Sequence, residues 1–87
     1  MTRADVEAAV RSVLSDVAPE TAAVALRPDV PIRDQVDLDS FDYLNFIIGL
    51  HERLGVTVPE ADYGQLMTLA GAVDYLMARG ARPAGRT

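Results

Sequence analysis

The sequence has no cysteine, no tryptophan and no lysine, and it has a single histidine. Without cysteine there is no disulfide framework, no thiolate zinc site and no thiol nucleophile, and nothing in the chain depends on an oxidising compartment. All eight bases are arginine, and thirteen acids outweigh them to a net charge of −5. That balance lacks the basic patch that nucleic acid or an anionic membrane requires, and it favours basic protein partners. No apolar run approaches the roughly 18–20 residues of a membrane span, and the acid-bearing N-terminal segment is unlike a secretory signal. The expectation is a soluble cytoplasmic protein without a membrane or nucleic-acid partner. Aromatics make up only 6% and alanine supplies 13 residues, so the core is fine-grained. A chain of 87 residues makes one domain. At this size about 60% of the unfolded surface is buried, which excludes an enzyme built from separate cofactor and substrate domains.

Periodicity organises what is present. Val6, Val10, Val13, Leu14 and Val17 share one face of a 3.6-residue repeat, Thr2 and Asp5 form a capping-box pattern, and Pro19 ends the helix. Residues 18–39 contain Pro19, Pro28 and Pro31, which forbid a long helix, yet Val24, Leu26, Val30, Ile32, Val36 and Leu38 are spread through them. That pattern predicts a long loop packed against helices. A second helix runs from Ser40 to Leu54, with Leu44, Ile47, Ile48 and Leu54 as its apolar face, widened by Tyr43, Phe46 and Leu50, and Gly55 as its C-terminal cap. Val56-Thr57-Val58-Pro59 is a short extended link, followed by a brief helix carrying Glu60, Ala61 and Asp62 that Gly64 interrupts. Thr68 caps a last helix that buries Leu69, Ala72, Val73 and Leu76 and stops at Gly80. The fold expected is all-α: a small bundle of three main helices plus one short helix, with a long packed loop between the first two. Residues 1–80 form the domain, and 81–87 read as a disordered tail.

Several chemistries fail on spacing. Ser40 and His51 lie eleven residues apart on one helix, about 16 Å along its axis, so no Ser–His pair forms within the chain. His51 reads as a solvated residue near a helix C-terminus. Asp34, Asp37, Asp39 and Asp42 lack the alternate spacing and central glycine of a calcium loop, and no glycine-rich phosphate loop is present. What remains is Asp39-Ser40-Phe41-Asp42, where the acidic half of the loop meets the apolar helix. On its own this tetrapeptide fits a helix start, with Asp39 or Ser40 as the N-cap and Asp42 in the first turn.

In context it carries more. Leu38-Asp39-Ser40-Phe41-Asp42, the spacing of Leu44, Ile47, Leu50 and Leu54, the link Gly55-Val56-Thr57-Val58-Pro59, and Thr68-Leu69 followed by Val73 and Leu76 resemble the acyl carrier protein family from about Val6 to Met77. The resemblance implies that Ser40 accepts 4′-phosphopantetheine from coenzyme A through a separate phosphopantetheinyl transferase. It implies that Asp39 is the motif acid read by that transferase. The chain is then a monomeric, stand-alone carrier and not an enzyme, and the arm supplies the sulfur that it lacks.

The same resemblance assigns partner docking to the second helix, with Phe41, Asp42, Asn45 and Glu52 facing acyl-loading ligase or synthase enzymes. Phe41 stands where the family usually has leucine. Asn45, His51 and Arg53 stand where acids are common, which points to a specialised lipid or secondary-metabolite pathway. Two alternatives stay open: an aminoacyl, peptidyl or polyketide cargo, and a helical interaction module in which Ser40 merely starts a helix.

Overall fold

The computed structural model describes residues 1–82, which form an all-α bundle without named strands. Helix α1 spans Arg3–Val17. At its start the Thr2 hydroxyl accepts from the Asp5 N–H at 3.1 Å, and the Asp5 carboxylate accepts from the Thr2 N–H at 3.0 Å. Aspartate therefore closes this capping box as glutamate would. Val6, Ala9, Val10, Val13 and Leu14 are buried along one stripe. The helix ends at Ala18, ahead of Pro19, which has no N–H to continue the ladder.

The connection to the second helix is packed as expected, and two short 3-10 turns break it up, at Pro19–Ala23 and Ile32–Asp34. Leu26, Ile32, Val36 and Leu38 are buried, while Val24 and Val30 are half-buried. The Gln35 side chain ties the loop to itself, donating to the carbonyls of Arg27 and Val30 and accepting from the Arg27 N–H. The Ile32 N–H donates to the Met67 carbonyl at 2.8 Å, and the Ala70 N–H donates to the Pro28 carbonyl at 2.9 Å. Pro31 and Thr68 form an isolated antiparallel bridge at the same place.

Helix α2 spans Ser40–Leu54, and Gly55 follows in the left-handed region at φ 70° with its N–H on the His51 carbonyl. Phe46, Ile47, Leu50 and Leu54 are its buried residues. The expected face is corrected here: Leu44 and Ile48 are 42% and 46% exposed. Apolar residues cover more than half of this helix's circumference, so periodicity cannot say which edge turns inward.

A 3-10 segment, Glu60–Leu66, replaces the brief interrupted helix. It runs through Gly64 without a positive φ, because nothing there demands a chain reversal. Helix α3 spans Leu69–Ala78, with the Thr68 hydroxyl accepting from the Gly71 N–H and Gly80 at φ 73° beyond its end. Phe46, Leu14, Ile32, Leu50, Leu54, Leu66 and Leu76 meet at the centre, all fully buried. Ala81 donates its N–H to the Leu76 carbonyl and Arg82 to that of Leu54, so the first two residues of the expected tail are hydrogen-bonded to the bundle. Residues 83–87 lie outside the described residues.

Candidate functional site

The start of α2 is built by two aspartates. Asp39 is the N-cap: its carboxylate accepts from the Asp42 N–H at 2.8 Å, and the Asp42 carboxylate accepts from the Asp39 N–H at 3.4 Å. Of the two N-cap candidates, the structure selects Asp39. Ser40 is the first helical residue and is exposed. None of the side-chain hydrogen bonds among the described residues involves its hydroxyl. The arrangement holds a free primary hydroxyl outward on a rigid backbone.

Ser40 opens into a groove of about 450 Å³ lined by Arg33, Ser40, Tyr43, Leu44, Glu60 and Tyr63. A second, smaller hollow of about 150 Å³ is lined by Arg33, Tyr43, Tyr63, Gly64 and Met67. Tyr43 and Tyr63 therefore border both. Their rings meet edge to face at 6.3 Å, and the Tyr43 hydroxyl donates to the Tyr63 carbonyl at 3.0 Å. Burial pushes the Tyr43 phenol above its ordinary value, against the opposing pull of nearby Arg33. The 3-10 segment that carries Tyr63 is clamped to α3. Asp62 accepts from the Tyr75 hydroxyl at 2.7 Å and from Arg79 Nη2 at 2.9 Å, and the Arg79 guanidinium lies 4.6 Å over the Tyr75 ring. Burial, with the bond to Asp62 second, raises the Tyr75 phenol.

On the other side of α2, Val13, Asp16, Val17, Asn45, Ile48, Gly49, Glu52 and Arg53 line a groove against α1 of about 590 Å³. Arg53 Nη2 lies 3.6 Å from the Asp16 carboxylate, so its partner is on α1, not on its own helix. Phe41, 70% exposed, continues the apolar strip of Leu44 and Ile48 at helical spacing. Of the surface residues singled out from sequence, Phe41 and Glu52 are exposed, and Asp42 and Asn45 are half-buried. Ser40 and His51 stand at opposite ends of α2, and His51 Nδ1 lies 3.3 Å from the Val56 carbonyl. Sequence reasoning gave no site role to Arg33, Tyr43 or Leu44, and it set Ile48 with Phe46 and Ile47 at an acyl pocket, whereas Ile48 is exposed on the groove against α1. The available signal was Arg33's isolation among acids and the excess width of the apolar arc on α2.

The phosphopantetheine attachment site family model matches residues 8–76. The chain is 27% identical over 66 residues to the acyl carrier protein of Acidothermus cellulolyticus, covering 72% of this chain and 79% of that protein. It is 28% identical over 57 residues to the acyl carrier protein of Myxococcus xanthus, covering 66% and 70%. To that of Renibacterium salmoninarum it is 29% identical over 55 residues, covering 63% and 68%. An exposed, unbonded serine hydroxyl at a helix start, beside an open groove, suits a covalent phosphopantetheine. The chain belongs to the phosphopantetheine-bearing acyl carrier protein family and is a carrier whose prosthetic group is a covalently attached 4′-phosphopantetheine.

Proposed function

We propose that Ser40 carries the arm, that a separate phosphopantetheinyl transferase installs it from coenzyme A, and that the loaded chain serves a dedicated ligase or synthase in a specialised pathway. The observation that carries the attachment reading is the free, exposed Ser40 hydroxyl held at the first turn of α2 by the Asp39–Asp42 capping box. Asp39 fixes the backbone beneath the serine and supplies a carboxylate beside it for the transferase to read. When bound, the arm contributes the terminal thiol that this cysteine-free chain lacks. The residues around it orient the arm's base: Arg33, Tyr43, Leu44 and Tyr63 offer a surface along which it lies.

The pathway reading is supported by the outward face of α2. Phe41, Leu44 and Ile48 form an exposed apolar strip, bordered by Asp42, Asn45 and Glu52. Such a face docks by apolar complementarity with few charges, and charge chiefly sets encounter rate and discrimination between partners. Arg53 is already offset by Asp16, so its like-charge repulsion toward a basic partner is weaker than an unpaired arginine would give.

Incubation with coenzyme A and a broad-specificity transferase, followed by peptide mass spectrometry, tests the attachment. One phosphopantetheine is expected, on Ser40. Ser40→Ala is expected to fold and stay unmodified, with a stability cost under about 0.5 kcal/mol, because the N-cap is Asp39. Modification at Ser12 or Ser15 would sink the assignment. Loading kinetics with a malonyl-transferring enzyme of fatty acid synthesis test the pathway. Asn45→Glu is expected to speed loading, and a wild type already as fast as a housekeeping carrier refutes the specialised role.

A further inference from the structure

Arg33 is the one cation in the stretch from Asp29 to Asp42, which holds five acids. Simple attraction would pair it with one of them. Among the described residues, however, no carboxylate lies within ion-pair distance of its guanidinium. Its Nε donates instead to the Leu38 carbonyl at 3.1 Å, which holds the side chain two residues short of Ser40. That bond uses one of five N–H donors. The side chain shares the wall of one groove with Ser40, Tyr43, Leu44, Glu60 and Tyr63.

The start of α2 needs a cation once a phosphate is attached there. A helix N-terminus ordinarily welcomes an anion. Here Asp39 and Asp42 have already placed two carboxylates on it, and the Asp42 N–H is taken. A phosphodiester on Ser40 would stand between like charges. A guanidinium presents a planar fork of donors that matches phosphate oxygens. We propose that Arg33 receives the phosphodiester at the base of the arm, and so turns the arm into the groove bordered by Tyr43 and Tyr63 and away from the groove between α1 and α2. This rests on Ser40 as the attachment residue. A carboxylate on the cargo is the competing ligand, but it would sit at the far end of the arm, whereas the diester phosphorus is one bond from Ser40 Oγ.

The test is a thermodynamic cycle: apo and holo forms of wild type, Arg33→Gln and Arg33→Lys, melted at low and moderate ionic strength. Loss of the bond to the Leu38 carbonyl lowers apo and holo melting temperatures alike. Loss of a phosphate contact lowers the holo form further. The expected extra loss for Arg33→Gln is roughly 2–5 °C at low salt, shrinking as salt is added, with Arg33→Lys recovering most of it. The ³¹P resonance of the holo protein is expected to move in Arg33→Gln. Should that variant fail to fold, the Arg33 Nε–Hε resonance of wild type is expected to shift on conversion from apo to holo. Equal losses in both forms, with an unmoved ³¹P or Nε–Hε signal, overturn the proposal. So does coupling that emerges only when the arm carries a malonyl group, which would assign Arg33 to the cargo. Failure of Ser40 to be modified at all is a separate result, seen before the cycle begins, and it overturns the attachment reading itself.

Discussion

Replacing Gly49 with alanine pits two effects of known sign against each other. In the middle of a helix, alanine is better than glycine by about 1 kcal/mol. But a Cβ built on Gly49 would stand 2.6 Å from Val13 Cγ1, far inside ordinary contact distance. Val13 is buried on α1, and a β-branched side chain in a helix is held near one χ1 rotamer. It cannot swing aside, so α1 and α2 must part. Overpacking of this kind costs about 1–3 kcal/mol. The net expectation is a loss of about 1 kcal/mol, or roughly 4–8 °C in Tm for a domain of this size. Thermal and urea unfolding followed by circular dichroism would measure it. The decisive arm is the background Val13→Ala, where the opposing methyls are gone. There Gly49→Ala should stabilise by about 1 kcal/mol, giving a coupling of about 2 kcal/mol between the two positions. If Gly49→Ala stabilises equally in both backgrounds, the interface is softer than the geometry says and the reasoning fails.

Three further outcomes are expected. The five acids between Asp29 and Asp42 take part in none of the ion pairs among the described residues, so Tm should rise from low to moderate NaCl; a flat or falling profile would show that the cluster is compensated. Phe46 and Leu66 fill the centre, and Tyr43 and Tyr63 cover the groove at Ser40, so a short acyl chain should add stability at roughly 0.8 kcal/mol per buried CH₂ and longer chains should add no more; stability that climbs steadily with length refutes this. The Thr2 backbone N–H, with the Thr2 hydroxyl second, holds the Asp5 carboxyl below its ordinary 3.8, so this cap's stabilisation is complete above 3.8 and is lost as pH falls through the lower folded value. The Tm gap between wild type and Asp5→Asn should accordingly be present at pH 6 and close in acid; a gap independent of pH would assign the effect to something other than the carboxylate charge.

The ends of the helices were legible because each rests on local chemistry. Thr2 with Asp5, Gly55, and Thr68 all act within a few residues of themselves, and each does so in the structure. The packed character of residues 18–39 was legible from their scattered apolar side chains, but the 3-10 turns within them were not, since each is closed by only a few local bonds and is too short to leave an apolar period. Leu44 and Ile48 were assigned to the core because an apolar arc on α2 has no internal mark of its inward edge; the elements packed against it, α1 first among them, decide that. The Asp39-Ser40-Phe41-Asp42 motif was readable as a helix start. The groove beside it was not, because Arg33 and Tyr63 reach it from segments on either side of α2 in the sequence.

The bonds from Ile32 to Met67 and from Ala70 to Pro28 divide the long connection into two mechanically unlike halves. Residues 28–32 are fastened to the entry of α3, a place about forty positions further along the chain, so this junction is a non-local contact that closes a loop containing α2. Residues 22–25 have no such fastening and are mostly exposed. A protease, or an engineer inserting a peptide, would find the first half permissive and the second half resistant. A tug on the chain just before Ser40 would be transmitted through residues 28–32 to the root of α3, so an enzyme gripping the carrier at its motif also holds the segment that leads into the last helix.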